Sequence, residues 1–169
     1  MSDIQVRPAV LSDLARLTEI YNHYVVNTPI TFDITPMTAE ERLPWFEEHT
    51  RGGRYQLFVA ERNGLVLGYA GTGQFRAKAA YDPSVETTIY CAVDAIGKGI
   101  GRMMYEALFK ALEGDEADVH RVLAGITMPN DASVALHRRF GFEQVALFTE
   151  NGRKLGRYWD VMWMEKRMK

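Results

Sequence analysis

Apolar positions change their spacing several times along the chain, and each change marks an element. Ile4 and Val6 alternate with polar neighbours, as in a short strand, and Leu14, Leu17, Tyr21 and Tyr24 then recur as one helical face that Ser12 is placed to cap. Residues 27–37, NTPITFDITPM, set two prolines among β-branched residues, so a loop is expected there. Thr38 and Glu41 have the spacing of a capping box for a second helix carrying Leu43 and Phe46. YQLFVAE and LVLGYAG flank Asn63-Gly64, a dipeptide that tolerates positive φ and predicts a tight hairpin. After the loop FRAKAAYDPS, a strand begins at Val85, and a glycine cluster then leads into a helix with Met104, Leu108 and Leu112 on one face. HRVLAGIT reads as the next strand, and a short helix follows from Asn130 or Asp131 to a C-cap at Gly141. FEQVALF and GRYWDVMWM read as two last strands around Asn151-Gly152.

The order β-α-α-β-β-β-α-β-α-β-β predicts an α/β (α+β) architecture: one mixed, mainly antiparallel sheet with helices on both faces. At 169 residues the chain suits a single domain over 1–169. A net charge of −2, with charges of both signs, gives no basic field for nucleic acid and no polybasic stripe for a membrane, leaving small molecules or a second copy as partners. The single cysteine, Cys91, excludes an internal disulfide and sits in an apolar strand, where an inert thiol is expected. MSDIQVRPAV lacks the apolar core of a signal peptide and no run reaches about 18 apolar residues, so a cytoplasmic protein is expected. His23, His49 and His120 have no ligand spacing, and no metal is expected.

The densest chemistry lies in VETTIYCAVDAIGKGIGRMMYEALFKAL. A strand, then Gly97, Gly99 and Gly101, then at once a helix: such a turn aims several N–H groups at one point beside the positive end of the helix, which favours phosphate. A dinucleotide fingerprint would need glycine at Arg102, and a nucleoside triphosphate loop would need Lys and Ser or Thr after Gly101, where Arg102 and Met103 stand.

What remains resembles the pyrophosphate loop of the GCN5-related N-acetyltransferases, Gln/Arg-x-x-Gly-x-Gly/Ala, with Gly99 and Gly101 in register and Ile96 at the Gln/Arg position. NHYVVNTPITFD, RAKAAYDPSVETTIY, PNDASVALHRRFGF and GRKLGRYWDV further resemble, in order, blocks of the phosphinothricin acetyltransferase branch. The resemblance implies the GNAT acyl-CoA N-acyltransferase fold. It also implies acetyl-CoA at Gly97, Lys98, Gly99, Ile100, Gly101 and Arg102, and direct acetyl transfer to the α-amine of phosphinothricin, methionine sulfoximine, methionine sulfone and related amino acids. Glu86 falls where that family places its base, and His137 where many members carry a tyrosine that protonates the CoA thiolate. A backbone N–H near Ala92 or Val93 is expected to hold the oxyanion, and Asn130 either caps its helix or bonds the pantetheine arm.

An amino acid acceptor presents a carboxylate, for which Arg76 offers a planar fork and Lys78 a point charge, while Phe32 and Tyr81, ahead of Phe75, are expected to wall its side chain. Lys154, Tyr158 and Trp159 resemble a block near a subunit contact, which implies a homodimer, and acetylation of glutamine synthetase inhibitors implies detoxification. Two alternatives stay open: a GNAT enzyme for another amine (polyamine, aminoglycoside or protein lysine), and a non-catalytic acyl-CoA sensor.

Overall fold

A computed structural model describes residues 4–168. The elements are β1 (Gln5–Pro8), α1 (Leu14–Asn27), α2 (Ala39–His49), β2 (Leu57–Arg62), β3 (Leu65–Gln74), β4 (Ser84–Cys91), α3 (Ile100–Leu112), β5 (Arg121–Met128), α4 (Asp131–Arg139), β6 (Glu143–Lys154) and β7 (Arg157–Arg167), in the expected order. They form one sheet, β1-β2-β3-β4-β5-β7-β6, in which only β4 and β5 run parallel.

Alternation along β3 assigns the layers. A Cβ at Gly68 would meet Met104 Cε of α3 at 3.2 Å, whereas the next residue, Tyr69, faces Arg42 of α2, whose Cζ lies 5.8 Å from its ring centroid. Helix α3 therefore covers one face, and α1 and α2 cover the other. The stripe on α3, Met104, Leu108 and Leu112, is fully buried, and each such side chain contributes roughly 1.5–3 kcal/mol of transfer free energy.

Local chemistry fixes the ends. Thr38 Oγ1 accepts the Glu41 N–H at 3.2 Å while Glu41 Oε2 accepts the Thr38 N–H at 2.8 Å, which is the expected capping box. Asn63 (φ 55°) and Gly64 (φ 76°) make the first hairpin turn as expected. At the start of α1 the expectation needs correcting. Asp13, not Ser12, accepts the Val10 N–H at 2.8 Å, and it is held there by Arg7 at 2.8 and 3.0 Å.

The last hairpin is a second correction. Its turn is Leu155-Gly156 (φ 52° and 78°), and Asn151-Gly152 lies inside β6, where the register slips between Phe148 and Gly152. Gly152 is required for packing: the Phe32 ring fills the space a Cβ would need. Among the described residues, no helix is long and apolar enough to cross a membrane.

Candidate active site

β4 and β5 each have eight residues but pair only over Ser84–Glu86 with Arg121–Leu123. Beyond those three rungs the strands part, and a cavity of about 310 Å³ opens between them. Thr87 and Ile89 face α3 there, since Thr87 Oγ1 lies 3.4 Å from the Tyr105 hydroxyl and Ile89 Cδ1 is 3.4 Å from a Cβ built on Gly101. Glu86, Thr88 and Tyr90 face the α1/α2 side, where Tyr90 packs on Tyr69 at 5.6 Å. The cavity thus reaches through the sheet. One end is walled by Tyr105, Asn130, Ser133 and His137, the other by Trp45, Glu48 and His49.

The ladder to β3 sets the direction of every N–H on β4. Ala92 donates to the Leu67 carbonyl at 2.8 Å, so Tyr90 and Thr88, two and four residues back, also point their N–H groups at β3. Those of Ile89 and Cys91 point into the gap that β5 has left. The expectation at Ala92 is corrected accordingly: its N–H is already bonded. Ala92 and Val93 border a different hollow, of about 520 Å³, with His23, Tyr24 and Cys91. Burial pushes the Cys91 thiol up to about 11, consistent with an inert side chain.

Glu86 is half-buried on the cavity wall. Burial raises its carboxyl above the usual carboxylate range, and the positive charge of Arg76 acts in the opposite sense. A carboxyl in that state accepts a proton more readily than an ordinary surface glutamate.

His137 is 2% exposed. Its Nδ1 lies 2.7 Å from the Ser133 carbonyl, which can only accept, so Nδ1 carries the proton and Nε2 accepts the Tyr105 O–H at 2.9 Å. Burial lowers the imidazole pKa, with the Ser133 carbonyl opposing. The expectation that His137 itself gives a proton is therefore corrected: the neutral ring has no free N–H toward the cavity, and the mobile proton of the pair sits on Tyr105, whose own pKa burial raises. Sequence pattern missed Tyr105 because it reads there as one more apolar residue of an amphipathic helix.

Gly97 (φ 78°) and Gly99 (φ 76°) adopt left-handed conformations with open space beside them, so backbone shape alone requires glycine at both. Gly99 is the N-cap of α3. At Gly101 a Cβ would meet Leu136 Cδ2 at 3.2 Å, so the small residue lets α4 close on the start of α3. Ile100 is buried in the core, Lys98 and Ile96 are exposed, and Arg102 Nε donates to Glu106 at 2.6 Å along the helix surface. Open, positive-φ glycines ahead of a 13-residue helix fit a pyrophosphate held by backbone N–H groups. Asn130 caps α4, accepting the Ser133 N–H at 3.2 Å, and also lines the cavity.

The predicted acceptor residues lie apart from the cavity walls. Arg76 and Lys78 are exposed in the β3–β4 loop, with the Arg76 guanidinium 5.1 Å from the Phe75 ring centre. Tyr81 stands edge-on to Phe75 at 5.9 Å, and Phe75 in turn to Trp163 at 5.9 Å. Phe32, 37% exposed, covers Gly152. Lys154 is buried: its Nζ donates to the Thr31 carbonyl at 2.7 Å and the Tyr24 carbonyl at 3.4 Å, tying the 28–37 loop to β6. Tyr158 is exposed, and Trp159 Nε1 donates to the Lys154 carbonyl at 2.9 Å. Among the described residues, no group of three or more His, Cys, Asp or Glu side chains could hold a metal ion.

The strand, glycine loop and helix stand in the order expected from the sequence resemblance, and the sequence pattern of the acetyltransferase (GNAT) domain matches residues 6–163. The chain belongs to the GNAT acetyltransferase family. Within that family it is 53% identical to a phosphinothricin N-acetyltransferase of Streptomyces coelicolor, over 98% of this chain and 96% of that one. It is 34% identical to an L-methionine sulfoximine/L-methionine sulfone acetyltransferase of Pseudomonas aeruginosa, over 95% and 92%. The crystal structure of a GNAT superfamily phosphinothricin acetyltransferase from Sinorhizobium meliloti, in complex with AcCoA, superposes with a TM-score of 0.90 at 35% identity, covering 99% of this chain and 89% of that one.

Proposed function

We propose that this GNAT domain, spanning residues 1–169, transfers an acetyl group from acetyl-CoA directly to the α-amine of small amino acids, with phosphinothricin, L-methionine sulfoximine and L-methionine sulfone as acceptors. The observation that carries the reading is the cavity through the sheet, whose wall carries a carboxylate of raised pKa, Glu86. The names of the relatives at 53% and 34% identity supply the acceptor class.

Acetyl-CoA would supply the activated acyl group. Gly97, Lys98, Gly99, Ile100, Gly101 and Arg102 hold its phosphates, mostly through backbone N–H groups; Asn130 and Val93 lie along its course. The N–H groups of Ile89 and Cys91 face the acyl oxygen. Glu86 removes a proton from the acceptor nitrogen. Tyr105, whose O–H rests on His137 Nε2, would turn that single proton from the imidazole to the departing sulfur as a hydrogen-bond donor. Full transfer from a phenol above pKa 10 to a thiolate whose acid lies near 8.5 would run uphill by at least about 2 kcal/mol.

Arg76 and Lys78 draw the acceptor carboxylate to the rim, and Phe32 and Tyr81 border its side chain. Polycationic acceptors would meet the wrong sign of charge there. The enzyme works in the cytoplasm as a homodimer that detoxifies glutamine synthetase inhibitors. Edge strand β6 supports the dimer: Val145, Leu147 and Phe148 on it are about half exposed, as are Leu155 and Tyr158 beside it.

The test is release of CoA thiol from acetyl-CoA with methionine sulfone, methionine sulfoximine, phosphinothricin, spermidine and a lysine peptide as parallel acceptors, with the mass in solution measured alongside. Turnover with the first three alone is expected. Turnover with spermidine or peptide instead would overturn the acceptor class, and none with any acceptor would leave an acyl-CoA sensor.

A further inference from the structure

An ammonium that becomes an amide loses two protons, and a single carboxylate holds only one of them. We propose that His49 is a second catalytic base: its Nε2 takes the first proton from the acceptor ammonium, and Glu86 takes the second as the C–N bond forms. The proposal rests on the N-acetyltransferase reading above.

His49 ends α2, is 8% exposed and lines the cavity. Its Nδ1 lies 2.8 Å from the Trp45 carbonyl; since a carbonyl only accepts, Nδ1 carries the proton and Nε2 keeps a bare lone pair. Among the described residues Nε2 has no hydrogen-bond partner. What it touches is Gly73, where a Cβ would collide with the ring at Nε2 and Cε1.

Gly73 is the direct cross-strand partner of Glu86. Side chains of such a pair share a face, with Cβ atoms roughly 4.5–5.5 Å apart. The imidazole therefore stands where the side chain of residue 73 would stand, on the same face of the sheet as Glu86. Glycine at 73 leaves room for a ring delivered from another element.

The charged groups around the ring are Glu48 and Arg42 on α2, Glu86 on β4 and, beyond it, Arg76 on the rim; from β3 it meets Gly73 and neutral Gln74. Burial lowers the imidazole pKa, with the Trp45 carbonyl and Glu48 opposing, so Nε2 is unprotonated at neutral pH and able to accept. The proton balance closes. His49 takes one proton, the neutral amine attacks the acyl carbon, and Glu86 takes the second proton as C–N forms. The C–S bond then breaks with its electron pair on sulfur. One of the two protons ends on the thiol and the other in solvent.

The test compares wild type with His49→Gln and His49→Phe, measuring kcat/KM for methionine sulfone from about pH 6 to 9.5 at saturating acetyl-CoA. A loss on the order of 100-fold is expected near neutral pH. It should shrink as the amine deprotonates unaided, and also with the methyl ester of the acceptor, whose amine is less basic, while the KM for acetyl-CoA stays put. An equal loss at every pH and with both acceptors would make His49 a packing residue and overturn the proposal, as would full activity. In wild type, independently of how the variants fold, saturating methionine sulfone should lower the titration midpoint of the His49 Cε1–H resonance, because an ammonium donating to Nε2 disfavours a second proton. An unmoved midpoint counts against the assignment. Wild-type turnover in the same assay tests the enzymatic reading separately, so undiminished variants overturn His49 alone.

Discussion

The two ends of the cavity are built on different principles. Toward α3 and α4 the chain uses backbone: two left-handed glycines, a helix start, strand N–H groups released by the parting of β4 and β5, and a buried Tyr105–His137 pair held at 2.9 Å. Toward α1 and α2 it uses side chains from separate segments, namely Ile30 of the 28–37 loop clamped by Lys154, and Trp45, Glu48 and His49 at the end of α2. A backbone site recognises what all members of a family bind, while a site of loop side chains is free to change its ligand. We expect substitutions at one end to leave the affinity of the other nearly untouched.

The sharpest way to break that comparison is at the point the ends share. Glu86→Gln should lower kcat/KM for the acceptor by about 10²–10⁴-fold while acetyl-CoA binding, followed by calorimetry, stays within about twofold. Arg76→Gln should raise the acceptor KM by roughly 10–100-fold, the loss of one charged hydrogen bond. Because the Arg76 charge holds the Glu86 pKa down, the acid limb of the pH–rate profile should also move to higher pH. A fall in acetyl-CoA affinity instead would show that the ends are coupled. Gly99→Val should do the reverse, forcing a β-branched residue to φ near +76° at a cost of about 1–3 kcal/mol and weakening acetyl-CoA roughly 5–150-fold with the acceptor KM unchanged.

The smallest effect is on stability. His137 and His49 are held neutral by burial, with folded pKa values below the unfolded value near 6.5. Below that value the unfolded chain binds more protons than the folded one, so stability present above about pH 6.5 is lost progressively as the pH falls through the lowered folded values. The thermal midpoint should therefore drop between about pH 7 and 5, and by less in His137→Gln.

The sequence was most legible where local chemistry acts alone. Thr38 with Glu41, Asn63 with Gly64, and the strand–glycine–helix segment each specify their geometry within a few residues. Asn151-Gly152 misled for the converse reason: its glycine answers to Phe32, more than a hundred residues away in the chain. His49 escaped notice because one histidine at a helix end has no informative spacing, and its meaning comes from Gly73 and Glu86 on two other strands. The order of elements was readable throughout, whereas the parting of β4 and β5 was not, since periodicity reports which face a residue takes and not how far two strands stay together.

Among the described residues, three rungs between β4 and β5, with the His120 and Arg121 N–H groups donating to the Pro83 carbonyl at 2.8 and 3.2 Å beside them, join the ladder β1–β4 to the ladder β5–β7. Mechanically the sheet is two plates stitched along one short seam, with α3 packed on the first, α4 on the second, and the Tyr105–His137 pair linking the two helices. Amide protons at Ile89 and Cys91, with no strand opposite them, should exchange through small local openings. Those at Tyr90 and Thr88, locked to β3, should wait for much larger ones. A protection pattern that alternates residue by residue along β4 would record the seam directly, before any ligand is added.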